Sequence, residues 1–557
     1  MSPFAEFRMW LREGPPQERL LAATSTVVAL ALVIWAIVPL AGNNSTTSAV
    51  GVSGGASQAG TSGAAATGGS TGSSGTPGAA AAGGPGTGST AGLGLTGSGA
   101  SATALGTVAS GTTSGGASPS GSGTSSRPAG STTSPGQSPA ISGTTCHNQA
   151  TATGVTATTV KIGYINYDLA NAGPLIGLPT PQQDQAQFKA LIDYYNAHGG
   201  IQCRKIVASY YNDTLTDTTE HSDCLQAQQD GIFAMVFDFF TPQERPCLPA
   251  AGVPQFGISP APRSIVQKYF PYDLSWREDE NRLVRDYVFG SNKYGWFRGM
   301  GKLGVLDSTC YPEYSTELYN DLAIVGIPKS SISIYNYGCP TETATPDQNN
   351  EAVVQFKLAH VTNVMSVYYN GTPGFAQQAQ GQSYQPKYDI MDDNTWSLIQ
   401  DANPPDSTTL NGAFGITKIE DGAEHYSTYP WNTATAQCMS IDKASGVGSP
   451  TQIGVTAIYG AACASLQLLV DSANATVPLV RNGLARGMAA LGALQLAYPA
   501  GPSVFNDPTN PTGDQYYRAG VYNSSCQCFK FVDGTFQPQF AANGQPQSGL
   551  SPIYVKP

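Results

Sequence analysis

Val160-Lys-Ile-Gly-Tyr-Ile165 is a short apolar run, and the stretch from there to Pro260 decides the fold. A loop rich in Gly and Pro over 166–181 leads into a predicted helix. There Phe188, Leu191, Ile192 and Tyr195 recur at helical spacing and would face a sheet. Gly199-Gly200 ends that helix, because glycine takes the left-handed cap conformation cheaply. Lys205 to Tyr211 reads as a second strand. Asp217 followed by Glu220 starts a second helix, with carboxylates near the positive helix end; it carries Cys224 and stops near Gly231. Ile232 to Phe240 is nearly continuous in apolar character, as expected of a strand covered on both faces. A Pro-interrupted helix bearing Cys247 comes next, and Val253 to Ser259 reads as a fourth strand. Strands alternating with helices imply a parallel sheet. Chemistry is then expected in the loops at the carboxyl ends of the strands, where a crevice opens.

The composition around this unit is uneven. Four of the 27 Lys and Arg residues and three of the 38 Asp and Glu residues precede Cys146, so the remainder carries net −12. Such a surface repels phosphate backbones, and no basic stripe with interleaved aromatics offsets it, so nucleic acid is not an expected partner. All ten cysteines lie at or after Cys146. An even number confined to one region points to disulfides in an oxidising compartment.

Residues 1–19 are polar and carry Arg8, Arg12 and Arg19. The uncharged run over 20–42 is long enough, at about 1.5 Å per residue, to cross a bilayer core of about 30 Å. The rival is a cleaved signal peptide; a long preceding flank, a long apolar run and no clear Ala-x-Ala site stand against it. Leu40-Ala41-Gly42 resembles the start of a lipoprotein box, but Asn43 occupies the place of the lipidated cysteine. The basic residues before the span put the N-terminus in the cytoplasm and everything after Gly42 outside. A single-pass protein of the cell membrane with an extracytoplasmic C-terminal domain is expected. Residues 43–145 are Gly, Ser, Thr and Ala with scattered Pro, too poor in large side chains to offset the entropy of ordering, so this linker is expected to be disordered. As a Gly/Ser coil it would span about 50–60 Å.

Val160-Lys-Ile-Gly, Asn196-Ala-His-Gly-Gly-Ile-Gln-Cys-Arg-Lys-Ile206, Tyr211-Asn-Asp213, Gly252-Val-Pro254 and Ile258-Ser-Pro260 together resemble the type I periplasmic binding proteins of the Leu/Ile/Val-binding family. These are extracytoplasmic receptors of branched-chain amino-acid ABC transporters. The resemblance runs from about Thr158 to Phe531. It implies an α/β, two-lobed fold over 146–540, each lobe a parallel sheet flanked by helices, with a tail over 541–557. Lobe one would take 158–272 and 418–500, and lobe two 300–410 plus C-terminal strands. Asp273 to Arg285 reads as the first crossing. Lys302–Leu306, Ser331–Tyr337, Asn363–Tyr369 and Lys387–Met391 are lobe-two strands, and Asn411 to Thr417 returns the chain to lobe one. Helices over Gln452–Ala473 and Pro478–Leu491 come after it, and strands near Val521 and Phe529 make the third crossing.

The resemblance also implies that a small ligand sits between the lobes. Ser259 matches a position near the family's carboxylate site. Tyr311 stands at its Tyr-Gly position, with Pro312 in place of the glycine. Tyr369, with Tyr368 and Asn370, ends a lobe-two strand where the family also has a tyrosine. Asp393, beside Asp392, lies near the acid that pairs with an ammonium group. Tyr164 and Tyr167 could stack on a ligand, core packing being the rival for Tyr164. After the third strand, small residues are replaced by Phe237-Asp238-Phe239-Phe240-Thr241, with Asp238 and Thr241 as polar contacts. Two bulky rings and an acid there favour an aromatic, cationic or larger polar ligand over a branched-chain amino acid. Cys224 with Cys247, on helices flanking the third strand, and Cys310 with Cys339, after adjacent strands, are disulfide candidates.

No zinc, nucleotide-loop or hydrolase-elbow pattern is present, and the five histidines are scattered, so no catalytic residue, metal or cofactor is expected. The expected function is solute binding for ABC-type import through a permease. The alternative is a sensor or cell-surface interaction module that keeps the fold without transport.

Overall fold

Alternating strand and helix signals build two large sheets, one all parallel and one mixed, each inside its own core. The computed structural model describes residues 146, 149–168, 179–237, 243–258, 261–310, 312–339, 344–367, 371–391, 396, 408–420, 429–446, 453–507 and 511–554. The apolar run over 20–42 and the linker over 43–145 lie outside them. Among the described residues no helix is long and apolar enough to cross a membrane.

The first sheet is built from β1 (Thr159–Tyr167), α1 (Pro181–Ala197), β2 (Lys205–Asp213), α2 (Asp217–Gln229), β3 (Ala234–Val236), α3 (Cys247–Ala250), β4 (Gln255–Gly257), α4 (Arg263–Tyr269) and β5 (Asp273–Ser275). Its strands are all parallel, in the order β2-β1-β3-β4-β5. Two details differ from the expectation from sequence. The third strand ends at Val236, because Phe237 takes a φ of 75° and leaves the extended conformation. A fifth strand, β5, occupies the start of the stretch read as a crossing; three residues carry too little alternation to show a period.

Local chemistry explains the first lobe's joints. Thr180 caps α1, its hydroxyl accepting from Gln183 N–H at 3.3 Å while the Gln183 side chain accepts from Thr180 N–H at 3.0 Å, and Pro181 starts the helix. At the other end Asn196 clamps the helix to β2, donating to Ile206 O at 3.0 Å and accepting from Ile206 N–H at 2.7 Å. Gly200, at φ 61°, admits no side chain, since a Cβ there would sit 2.0 Å from Arg204 O. Arg204 is buried and donates to the carbonyls of Thr156 and Gln149. The Asn-x-x-Gly-Gly-Ile run is therefore a helix-to-strand joint.

Lobe two contains α5 (Glu280–Lys293), β6 (Leu303–Asp307), α6 (Pro312–Ile324), β7 (Ile332–Asn336), α7 (Pro346–Leu358), β8 (Asn363–Ser366), α8 (Gly371–Gly381), β9 (Lys387–Ile390) and β10 (Phe414–Thr417). The chain then returns to the first core with α9 (Thr433–Ser445), α10 (Ile453–Asn474) and α11 (Leu484–Ala489), passes through the small pair β11 (Ala493–Leu494) and β12 (Ser503–Val504), and ends as β13 (Tyr516–Asn523), β14 (Cys528–Phe531), β15 (Thr535–Pro538) and β16 (Ile553–Tyr554). The second sheet runs β16-β15-β13-β10-β9-β8-β6-β7, with β14 paired to β13. Phe414–Thr417, read as the return to lobe one, is thus a strand of the second sheet, and the return comes after it at 418–420. The C-terminal stretch past 540 is no free tail, because β16 pairs with β15. Gly415 and Gly520 face each other across β10 and β13; a Cβ on either would meet Trp396 at 2.6 or 2.4 Å, so the two glycines seat that indole, which stacks on Phe529 at 3.8 Å.

Three crossings join the lobes, described at 275–279, at 418–420 and at 499–507 with 511–515, and they are laced together. Ser275 bridges Thr512, and Ile419 bridges Pro499. Trp276 donates its indole N–H to Ser465 on α10 at 3.0 Å. The Lys418 ammonium meets Asp286 Oδ2 at 2.6 Å, both side chains fully buried, and Asp286 Oδ1 accepts from Phe540 N–H at 2.6 Å. Burial alone would lower the lysine's pKa, but the carboxylates of Asp286, Glu278 and Asp514 more than offset this and hold it above the ordinary value. Lys418→Met strands buried carboxylates without their cation. It is expected to destabilise the domain by about 3–5 kcal/mol, read from urea unfolding; an unchanged midpoint would contradict this account of the crossings.

Candidate functional site

Parallel strands deliver their carboxyl ends to one edge of each sheet, and the two edges lie beside the crossings. Between the lobes there an open cleft of about 600 Å³ is lined by Gln243, Pro262 and Ser264 from the first lobe and by Cys310, Glu313 and Cys339 from the second.

The second-lobe lip is organised around Asp307, the last residue of β6. One carboxylate oxygen accepts from Ser308 N–H at 2.8 Å and Ser315 Oγ at 2.7 Å, and the other from the Tyr319 hydroxyl at 3.0 Å. Ser308 Oγ and Thr309 N–H both donate to Gly338 O, which draws the β6 and β7 loops together. The disulfide Cys310–Cys339, with Cα atoms 4.6 Å apart, fastens the same two loops. The first-lobe lip is the start of α4. Arg263 pairs with Asp279 of the first crossing at 3.1 Å, its backbone N–H donates to Asn281 Oδ1 at 3.0 Å, and Ser264 N–H reaches across to Glu313 Oε1 at 3.4 Å.

Behind the lips stands a row of acids. Glu278 and Asp279 are fully buried and Glu280 is 8% exposed. Asp279 is matched by Arg263 and Arg282, and Glu278 has Arg277 at 3.9 Å. Among the described residues, neither Glu278 oxygen nor Glu280 Oε2 has a hydrogen-bond partner. Burial, with Glu313, Asp279 and Glu278 nearby, raises the Glu280 pKa well above the usual carboxylate range, against a smaller opposing effect from Arg245.

Of the eight ligand-contact candidates from sequence, only Tyr164 and Tyr167 fall among the described residues. Tyr164 is a core residue: fully buried, stacked on Phe188 at 3.7 Å, its hydroxyl donating to Asp184 Oδ1 at 2.8 Å. Its contacts among the described residues are those of core packing, the rival reading for this tyrosine. Asp184 is itself pushed up to about 7 by burial, which the Tyr164 hydrogen bond partly counters. Tyr167 is 7% exposed and leans on Phe237 at 5.6 Å. Phe237 is fully buried between Tyr164 and Tyr167, so the first ring of the 237–241 stretch belongs to the core. Asp238, Thr241, Ser259, Tyr311, Tyr369 and Asp393 lie outside the described residues, as do Tyr368, Asn370 and Asp392. In sequence, Tyr311 stands between the cleft residues Cys310 and Pro312.

Sequence reasoning missed Asp307, Glu313 and Glu280. Glu313 comes after Pro312 and carries only the signal of an acid in a first helical turn. Glu278-Asp279-Glu280 looks like a solvated charge run, and only the docking of two lobes buries it.

Cys224 bonds Cys247 and Cys310 bonds Cys339, the two pairings suggested by chain order; Cys146–Cys203, Cys438–Cys463 and Cys526–Cys528 complete the set. The only His/Cys/acid cluster among the described residues close enough for a metal is His221, Glu244 and Cys247. The Cys247 sulfur is committed to its disulfide, and His221 Nδ1 already meets Glu244 at 2.9 Å.

No family model and no curated protein sequence matches the chain. Solved structures do. The solute-binding protein of an ABC transporter from R. palustris, in complex with 4-hydroxybenzoate, is 14% identical over 72% of this chain and 98% of its own, with a TM-score of 0.51. A type 1 periplasmic binding protein from Bordetella pertussis Tohama I is 13% identical over 67% and 99%, at 0.51. A fatty-acid ABC transporter substrate-binding protein from Thermomonospora curvata is 13% identical over 68% and 93%, at 0.52. The described chain therefore has the type I periplasmic-binding-protein fold.

Because the lip is fastened by one covalent bridge over a 29-residue separation, replacing both Cys310 and Cys339 by Ser is expected to remove about 3–4 kcal/mol on the chain-entropy account. Calorimetric melting of the double variant checks this; an unchanged melting temperature would show that hydrogen bonds to Gly338 hold the lip unaided.

Proposed function

We propose that this chain is a membrane-tethered, extracytoplasmic solute-binding protein that holds a small polar or amino-acid-like ligand between its lobes and presents it to an ABC-type importer. The observation that carries the reading is the cleft walled by side chains of both lobes beside three crossings. Only a site divided in this way couples ligand contact to lobe closure: a ligand touching both walls stabilises the closed arrangement by the difference in its contacts between the two states. The neighbours in fold, among them a hydroxybenzoate complex and a fatty-acid transport protein, support binding rather than turnover as the task of such a cleft. They do not single out a ligand class, because the fold is shared while the cleft side chains are not.

The tether belongs to the same proposal. The apolar run over 20–42, preceded by three arginines, anchors the chain, and the Gly/Ser/Thr/Ala stretch lets the domain reach a permease in the same membrane.

Native mass spectrometry of the full chain purified in mild detergent is expected to show a co-purifying small molecule. Fluorophores on the two lobes should report closure when it is added back to stripped protein; a bound molecule that leaves the inter-lobe distance unchanged would defeat the reading. Protease added to intact cells should remove the C-terminal domain and leave the N-terminal tail protected; the reverse pattern would overturn the orientation.

A further inference from the structure

Of the five disulfides, one lies at the cleft. Cys224–Cys247 and Cys438–Cys463 belong to the first-lobe core, with Cys224, Cys438 and Cys463 buried there. Cys146–Cys203 is exposed, but Cys203 precedes β2 and so stands at the amino edge of the first sheet, away from the cleft. Cys526–Cys528 closes the turn after β13. That strand is antiparallel to β10, with Val521 opposite Phe414 at the start of β10, so its turn is also at the edge remote from the cleft. Cys310 and Cys339 follow the carboxyl ends of β6 and β7 and line the cleft itself, Cys339 exposed and Cys310 half-buried.

This bridge governs the shape of the lip. The β6–β7 ladder ends with Tyr337 N–H on Asp307 O at 3.0 Å. Beyond it the two loops are joined by the bridge and by Gly338 O, which accepts from Thr309 N–H at 2.7 Å and Ser308 Oγ at 3.1 Å. Both hydrogen bonds end on one acceptor in a loop open to water, where each adds little net stability. Three residues after Cys310, Glu313 carries the lip across to lobe one, its Oε1 accepting from Ser264 N–H at 3.4 Å. The set of the lip and the reach of Glu313 therefore depend on a covalent bond with one end at the surface.

We propose that Cys310–Cys339 is a thiol-exchange site, through which a small thiol compound opens the lip and lowers the hold of the cleft on its ligand. The proposal rests on the reading of the cleft as the ligand site. A thiolate attacks Cys339 Sγ, on the more exposed of the two residues. The Cys310–Cys339 bond breaks, a mixed disulfide forms on Cys339, and Cys310 leaves as a thiolate that takes up a proton. A second thiol attacks the mixed disulfide and departs with the first as a small disulfide, leaving Cys339 as a thiol. Two small thiols are thus oxidised and the bridge takes their two electrons; exchange with a small disulfide reverses the change. The reduced lip keeps only its hydrogen bonds and opens more often, which withdraws part of the cleft wall. By linkage, a molecule that binds the oxidised protein more tightly makes the bridge harder to reduce by the same factor.

The test incubates the full chain, in mild detergent, across a range of reduced to oxidised glutathione ratios. Free thiols are trapped with iodoacetamide and located by peptide mass spectrometry. Cys310 and Cys339 are expected to be trapped, with a glutathione adduct on Cys339, under conditions that leave Cys224–Cys247 and Cys438–Cys463 closed. Hydrogen exchange in peptides containing Thr309 and Gly338 should quicken at least threefold on reduction, with exchange in β1 unchanged. Leucine and 4-hydroxybenzoate probe the cleft by calorimetry: whichever binds should bind at least fivefold more weakly to the reduced protein and recover on reoxidation. The variants Cys146→Ser/Cys203→Ser and Cys526→Ser/Cys528→Ser should respond like wild type, whereas Cys310→Ser/Cys339→Ser should bind as the reduced protein does at every glutathione ratio. A cleft bridge that stays closed until the two core bridges open overturns the proposal, as does unchanged exchange in the lip or equal probe affinity in both states; each leaves solute binding standing. If neither probe binds, or a variant fails to fold, trapping and hydrogen exchange on wild type decide the proposal alone. Solute binding is then decided separately by whether a molecule co-purifies.

Discussion

The Lys418–Asp286 pair is the constraint on which the two-lobed arrangement depends. It sits where the second crossing meets the first helix of the second lobe, with no exposed surface on either side chain. A buried charge of this kind tolerates few geometries, because any shift that parts the two ions leaves each desolvated and alone. Asp286 is further held by Phe540 N–H, so the far C-terminal segment helps fix the same point. Around it the crossings exchange backbone hydrogen bonds, with Ala500 N–H on Lys418 O and Glu420 N–H on Tyr498 O. Glu420, buried and pushed up to about 8 by its burial, accepts from Thr435 at 2.8 Å and Asn432 at 3.3 Å. The joint is a polar knot, and movement of the lobes has to turn about it.

Much of the first lobe was legible because its determinants are local. Phe188, Leu191 and Ile192 announce a helix face, Gly199-Gly200 its end, and Asn196 reaches only ten residues to clamp β2. Period and punctuation also recover β6 to β9, and the cysteines on neighbouring connections recover two bridges. What failed was non-local or short. β5 is three residues long, α9 has a mixed pattern with its capping Asn432 as the main signal, and β10 owes its sheet to glycines that make room for Trp396. For Tyr164 the strand and the Phe188 helix face could each be read, but not the stacking between them that makes it a core residue.

For the site the division is sharper. The sequence places candidates at strand ends, which is a property of the fold. Burial of an acidic run and the fastening of a lip by Asp307 are properties of contacts between segments far apart in the chain. Glu280 shows this most clearly: as part of a charged tetrapeptide it looks solvated, and its meaning comes from residues 245, 261 and 313 gathered around it.

The five disulfides span at most 57 residues, and each joins cysteines of one lobe. None ties the late helices α9 and α10 to the first sheet they cover. Cys438–Cys463 fastens that helix pair only to itself, while its attachment rests on contacts such as Trp276 to Ser465 and Gln202 to the carbonyls of Ala473 and Thr476. Oxidation can therefore finish segment by segment, in chain order, while lobe one still waits for α9 to α11, which follow β6 to β10 of lobe two and precede its last strands. Docking of those helices on the first sheet is then a reversible step that no bridge can trap in a wrong register.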